Sequence, residues 1–286
     1  MKLPHTHAWI TGAGGLIGSH LLRSAATYAP EWQVIGFTHD RLELTDFDAV
    51  GRAFRTQPPQ LVIHCAALSK SAACQENPTL ARKLNVEITA QLAELASDIP
   101  FVFFSSDLVF DGQRGNYDET AAVNPLSVYA ETKVAAEQIV LSNPHHTVIR
   151  TSLNGGISPA GDRGFNEEMR RAWQEGRTLT LFTDEFRCPI PAAATARAVW
   201  ELISRRKPGL YHVAGSQRLS RWQIGRLLAA RWPQLNPKIL PGSLKEYQGA
   251  PRSPDTSLNC AKAQSLLSFS LPGLAAWLAA NPDEIF

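Results

Sequence analysis

The chain has 286 residues, enough for one large α/β domain or two modest ones and too many for a peptide or a disulfide miniprotein. Twenty-eight Lys and Arg face 26 Asp and Glu for a formal charge of +2, with no run of five like charges, which argues against a nucleic-acid partner. The apolar stretches at 61–63 and 101–104 are strand length and far short of a bilayer span, so no membrane is expected either.

Met1 to His7 hold no apolar segment followed by a small-residue cleavage site, and the expected location is the cytoplasm. A strand is predicted at 7–11, and it enters Thr11-Gly12-Ala13-Gly14-Gly15-Leu16-Ile17-Gly18, where a helical period takes over from about Leu16. Strands follow at 33–37 and 61–64, with a helix between them that Asp46 caps and that runs to about Arg55. Leu68 to Cys74 is expected as a loop. Pro78 opens a helical pattern to about Ser97, and then come a strand at 101–104, a helix at 128–141 and a strand at 147–149.

This alternation predicts an α/β protein with a Rossmann-type, doubly wound parallel sheet and a smaller α/β substrate lobe near the C-terminus. After Arg150 glycine and proline cluster between Gly155 and Gly164 and the elements shorten. The expected division is a dinucleotide-binding domain over 1–152, with a return segment at about 188–215, and a substrate lobe from 153–187 and 216–286. Cys65, Cys74, Cys188 and Cys260 form no C-x-x-C pair, so reduced, packed thiols are expected and no metal site. Trp173, Trp200, Trp222, Trp232 and Trp277 fall in helical segments and are assigned to cores; the histidines show no ligand spacing and are assigned to solvated surface.

Gly12, Gly15 and Gly18 recur every third residue between a strand and a helix. Such a turn lacks Cβ atoms so that backbone N–H groups and the helix N-terminus can approach a pyrophosphate, which places Leu16 and Ile17 of the first turn beside a bound dinucleotide. No Gly-Lys-Ser/Thr follows, so the loop is not a P-loop. The second strand ends in Phe37-Thr38-His39-Asp40-Arg41, with Thr38 where an NAD-preferring fold has an acid and Arg41 placed to join it on a 2′-phosphate. The balance favours NADP(H); Asp40 keeps NAD(H) open.

Tyr129 and Lys133 stand four residues apart on a predicted helix and share a face. The preceding strand runs into Ser105-Ser106-Asp107, putting a hydroxyl at the sheet edge where ligands bind. A phenol of pKa near 10 is a poor proton donor or acceptor at neutral pH, and an adjacent ammonium is expected to lower that value. Ser106 would hold the reacting carbonyl oxygen, and the three residues together compose a carbonyl reductase or alcohol dehydrogenase site.

With Thr11 to Gly18 and Tyr129 to Lys133 in place, the chain resembles the extended short-chain dehydrogenase/reductase superfamily. Ser105-Ser106-Asp107-Leu108-Val109-Phe110-Asp111-Gly112, Pro125-Leu126-Ser127-Val128-Tyr129, Ile149-Arg150-Thr151-Ser152 and Arg252-Ser253-Pro254-Asp255-Thr256-Ser257-Leu258 are similar to the dTDP-4-dehydrorhamnose reductase family over nearly the whole chain. The resemblance implies an NAD(P)H-binding first lobe and a second lobe closing over a nucleotide-sugar. It makes Ser106, Tyr129 and Lys133 the catalytic set, puts Glu43 and Leu44 against adenine, and adds Ala66, Ala67 and Thr151 to the cofactor contacts. The segment Leu68 to Cys74 lacks the family's usual Val-Asp pair, and Ala130 replaces a frequent Gly.

Reduction of a 4-keto group on a nucleotide-activated deoxysugar is therefore the expected activity, with a homodimer left open. A 4,6-dehydratase would carry Asp-Glu after the catalytic hydroxyl; here Leu108 follows Asp107, and Asp107 is read as a cap. A non-catalytic NADP-binding subunit like the methionine adenosyltransferase β subunit, or another nucleotide-sugar epimerase, stays as an alternative. Arg187 and Arg252 are the candidate contacts to the substrate pyrophosphate, since a guanidinium fork suits phosphate oxygens.

Overall fold

The computed structural model describes residues 6–286. The expectation about Met1 to His5 lies outside the described residues. The first strand, β1 (Thr6–Thr11), buries Ala8, Trp9 and Ile10 completely, the two-sided burial expected of a central parallel strand. It is followed by α1 (Leu16–Tyr28), β2 (Trp32–Phe37) and α2 (Phe47–Thr56), and the Asp46 carboxylate caps α2 by accepting from the Ala49 N–H at 2.8 Å.

After β3 (Leu61–His64) the segment expected as a loop contains a short helix, α3 (Ser71–Glu76). Six residues are too few for a helical period to show in sequence. Asn77 then caps the next helix, α4, whose pieces are Pro78–Arg82, a π turn at Lys83–Glu87, and Ile88–Leu95. Strand β4 (Phe101–Ser106) runs two residues beyond its predicted end, α5 (Val128–Leu141) is capped by Ser127, and β5 (Thr147–Thr151) completes the expected alternation. The rest of the chain supplies α6 (Phe165–Gln174), β6 (Thr178–Phe182), α7 (Ala192–Ser204), β7 (Gly209–Val213), α8 (Arg221–Arg231), β8 (Lys238–Gly242) and α9 (Leu274–Ala280).

The central sheet has six strands, all parallel, in the order β2-β1-β3-β4-β5-β7. The predicted doubly wound α/β fold is present. From β1 the chain goes first to β2 on one side and then to β3 on the other, so the crevice between their C-terminal ends is the switch point where such sheets bind ligands.

Helices cover both faces. On one, Ala8, Ile10, Val102 and Ile149 pack with Leu21 of α1 and Trp200 of α7, and the Trp200 indole N–H donates to the Leu21 carbonyl at 3.1 Å. On the other, Trp9, Val62, Phe101 and Phe103 meet Val50, Leu92 and Ala136. Phe101 has no exposed surface, and Phe101→Ala should reduce the unfolding free energy by about 3–5 kcal/mol, read from urea denaturation.

A third core, with Met169, Trp173, Leu181, Ile224, Leu228 and Trp232, sits apart from the sheet and unites α6, β6 and α8. The assignment of Trp173, Trp200 and Trp232 to cores agrees with this packing. The surface assignment of the histidines fails for His64, His146 and His212, which are buried. His64 links Thr11 (2.6 Å) and Thr89 (3.2 Å) through its two ring nitrogens, and burial drives its pKa down to about 3, so the ring stays neutral. No helix among the described residues is long and apolar enough to cross a membrane.

Candidate active site

The glycine loop closes on itself through a hydrogen bond from the Gly15 N–H to the Gly12 carbonyl at 2.9 Å. Gly12 has φ +70°, and a Cβ there would lie 2.6 Å from the Ala66 backbone nitrogen; one on Gly18 would lie 2.3 Å from the Gly12 carbonyl oxygen. These two glycines make the turn and its contact with the end of β3 sterically possible. Gly15 differs. Its backbone is extended, and its hypothetical Cβ meets only the Gly12 carbonyl oxygen, at 3.2 Å.

Helix α1 begins at Leu16 with no side-chain cap on its first N–H groups and no acidic residue in its first turn, as an anion-binding N-terminus requires. The loop, Leu16, Ile17, and Ala66, whose backbone lies against Gly12 with Ala67 next in the chain, thus surround the switch point, and these residues fit a dinucleotide pyrophosphate. Thr38 stands at the same mouth, its Cγ2 3.4 Å from where a Cβ on Gly14 would be. Arg41 folds back over the end of β2, donating from Nη1 to the Gly36 carbonyl at 2.8 Å. The Glu43 carboxylate accepts from the Thr45 N–H and hydroxyl, which hold its pKa low, while Leu44 packs into the second core.

The chemistry gathers at the C-terminal end of β4. Ser106 closes that strand opposite Thr151 of β5; its hydroxyl accepts from the Leu108 N–H at 3.1 Å and donates to Asp107 Oδ1 at 3.2 Å. The Ser127 cap starts α5 so that Tyr129 and Lys133, one turn apart, both enter the interior. Lys133 Nζ donates to the Phe104 carbonyl at 2.9 Å and lies 4.5 Å from the Phe103 ring centre. Burial lowers its pKa to about 8.

Tyr129 departs from expectation. Burial pushes its phenol up to about 12, opposed by the Ser106 side chain and by Arg187, and reinforced by the charge of Asp107. The Lys133 ammonium, 6.0 Å from the Tyr129 ring centre, is committed to the Phe104 carbonyl and does not offset the desolvation. The phenol is therefore held protonated rather than primed as a phenolate.

Asp107 is not a cap; the Ser106 hydroxyl receives the Leu108 N–H instead. The Asp107 carboxylate is completely buried and takes a bidentate fork from Arg187, Nε at 2.6 Å and Nη2 at 2.5 Å, together with the hydroxyls of Ser152 (2.6 Å) and Thr256 (3.2 Å). Arg187, expected as a free phosphate ligand, is thus itself buried, because a guanidinium removed from water requires a paired carboxylate. Arg252 pairs with Glu185 at 2.9 and 2.8 Å but keeps a third of its side chain exposed. Arg221 shares the surroundings of Glu185, and burial brings its pKa down to about 10. Ser152, Glu185, Arg221 and Thr256 had no assigned role in sequence, since their partners are remote along the chain and leave no local pattern.

Residues 6–281 match the family described as RmlD substrate binding domain. A probable low-salt glycan biosynthesis reductase of Haloferax volcanii is 30% identical over 233 residues, 77% of this chain and 78% of that one. The methionine adenosyltransferase 2 subunit beta of Xenopus laevis is 26% identical over 282 residues, 93% of this chain and 84% of that one. Among solved structures, a hypothetical dTDP-4-dehydrorhamnose reductase from Sulfolobus tokodaii superposes with a TM-score of 0.84 at 28% identity, covering 94% of this chain and 97% of that one. The match over nearly the full length, on a parallel sheet with its glycine loop at the switch point, means that this chain belongs to the RmlD substrate binding domain family of extended short-chain dehydrogenase/reductases.

Proposed function

We propose that the protein reduces the 4-keto group of a nucleotide-activated deoxysugar, with NADP(H) favoured over NAD(H) and Tyr129 as proton donor. The observation that carries this reading is the convergence of Ser106, Tyr129 and Lys133 at the end of β4, which only β3 separates from the strand that leads into the glycine loop. A similar reductase at 30% identity supports it.

The cofactor, when bound, would supply the hydride for the carbonyl carbon. Gly12, Gly15, Gly18, Leu16 and Ile17 would hold its pyrophosphate, and Thr38 and Arg41 its adenosine end, with Glu43, Leu44, Ala66, Ala67 and Thr151 along the groove. Ser106 turns its hydroxyl to the substrate oxygen and orients the carbonyl. Tyr129 transfers the phenolic proton to that oxygen as negative charge develops on it, so that the product is an alcohol. Lys133 would take the ribose hydroxyls of the bound cofactor, its charge being too distant to outweigh the burial of the phenol. Leu108 offers no acid or base, and Asp107 is occupied by Arg187, which disfavours a dehydratase.

The substrate lobe is assigned to 153–187 and 216–286, with the segment 188–215 returning to the sheet. The third core, built from α6, β6 and α8, supports this division. Arg252, with Arg221 beside it, is the proposed pyrophosphate contact. Arg252→Ala is expected to raise KM for the nucleotide-sugar about 10- to 100-fold with little change in kcat, because the contact is equal in ground and transition states. An unchanged KM in initial-rate assays would remove Arg252 from the site.

The similarity to an adenosyltransferase β subunit supports a second reading, a cofactor-binding partner protein without turnover. Purified protein incubated with NADPH or NADH and a panel of 4-keto nucleotide-sugars separates the two. The reductase oxidises the cofactor in step with keto-sugar consumption; a regulatory subunit binds NADPH, turns over none of the panel and co-purifies in stoichiometric amount with an adenosyltransferase.

A further inference from the structure

The ion pair directly behind the reacting centre has no part in the mechanism above, although a buried carboxylate and guanidinium next to a proton donor act on it. Asp107 follows Ser106 in the chain and has no exposed surface. Four side chains from four separate segments donate to it: Ser106 from β4, Ser152 after β5, Arg187 through two nitrogens, and Thr256 from the C-terminal part of the chain. Ser152 also accepts from the Cys188 N–H at 3.2 Å, so the segment carrying Arg187 is tied to the sheet at two adjacent residues.

We infer that Asp107 and Arg187 form a positioning pair that fixes the Ser106 hydroxyl and sets the electrostatic balance at the Tyr129 phenol, so that Arg187 serves the proton transfer rather than the substrate phosphates. The role rests on the reductase reading of the site. Two geometric facts support it. Ser106 is held from both sides, accepting from the Leu108 N–H and donating to Asp107, which gives its hydroxyl one resting direction from which a substrate oxygen must compete it away. The guanidinium fork also spans an 80-residue separation between β4 and the segment after β6, so the position of Asp107 depends on the packing of that segment against the sheet.

The two charges pull the Tyr129 proton in opposite directions: Asp107 disfavours the phenolate and Arg187 favours it. The other groups facing this phenol are Ser106 from β4 and the Cys74 thiol from α3, which burial keeps protonated, while Lys133 lies one turn along its own helix. Whether Tyr129 or Lys133 limits the rate at alkaline pH, the sign is the same, because a negative charge opposes and a positive charge assists the loss of either proton.

The test is the pH profile of kcat for NADPH-dependent reduction of the keto-sugar, measured for wild type, Asp107→Asn, Arg187→Met and Arg187→Lys, with thermal unfolding recorded for each. Asp107→Asn is expected to lower kcat about 10- to 100-fold through loss of Ser106 alignment, with KM near the wild-type value, and to move the alkaline limb to lower pH. Arg187→Met should lower kcat similarly and move the limb to higher pH, because the positive charge that assists proton loss is gone. Arg187→Lys, which keeps the charge and loses the fork, should lower kcat and leave the limb in place.

Limbs that coincide with wild type or shift in one common direction would overturn the pair's electrostatic role, and a loss confined to KM would return Arg187 to the phosphates. If the charge-removing variants do not fold, Arg187→Lys and Thr256→Val decide by their kcat: a drop at unchanged KM supports positioning, and wild-type kcat overturns it. A wild type that turns over no keto-sugar overturns the reductase reading itself, a different result from an active wild type with unshifted variants.

Discussion

Tyr129→Phe is expected to lower kcat by about 10² to 10⁴, the usual range for removing a general acid, while NADPH binds as tightly as before. The ring sits among Cys74, Ala81, Leu68, Leu108 and Val128, and phenylalanine keeps every one of those contacts, so the melting temperature should not change. What is lost is the hydroxyl, with its proton and its interaction with Ser106. Because burial holds the Tyr129 pKa up at about 12, the phenol stays protonated through neutral and mildly alkaline pH. Lys133, brought down to about 8, loses its charge first, and the wild-type rate should begin to fall as pH rises through that value. A Tyr129→Phe enzyme with kcat within a factor of about two of wild type would not fit general acid catalysis by this residue.

Gly15→Val should abolish NADPH binding in a fluorescence titration and leave the fold intact. The backbone at Gly15 (φ −84°, ψ 174°) suits a β-branched residue, and a Cβ there comes close only to the Gly12 carbonyl oxygen, at 3.2 Å. The added methyl groups would stand at the uncapped start of α1, where a pyrophosphate must approach the backbone N–H groups. Equivalent changes at Gly12 or Gly18 are uninformative, because a Cβ at either collides with backbone at 2.6 and 2.3 Å and disrupts the turn itself. Retention of wild-type affinity in a folded Gly15→Val protein would make the glycine loop a packing device.

Much of this fold was legible along the chain, for reasons that are local. β1, β3 and β4 are buried on both faces and therefore appear as continuous apolar runs, and Asp46 caps the helix that it precedes. The glycine loop was legible because Gly12, Gly15 and Gly18 lie within seven residues at a regular spacing, between a strand and a helix. Ser106, Tyr129 and Lys133 were legible from a strand end, an i,i+4 spacing and a family resemblance. The short α3, the π turn at Lys83–Glu87 and the last two residues of β4 carry no periodicity of their own and exist through their neighbours.

The electrostatics of the site were decided by tertiary structure alone. Asp107 meets Arg187 across 80 residues and Thr256 across 149, and Arg252 meets Glu185 across 67, so no short window of sequence contains either carboxylate with the guanidinium fork that it accepts. The phenol of Tyr129 was expected to be acidified by a lysine one turn away, a local argument. In the folded protein the desolvation imposed by distant segments outweighs that lysine, because the cost of a buried charge depends on everything packed around it rather than on sequence neighbours.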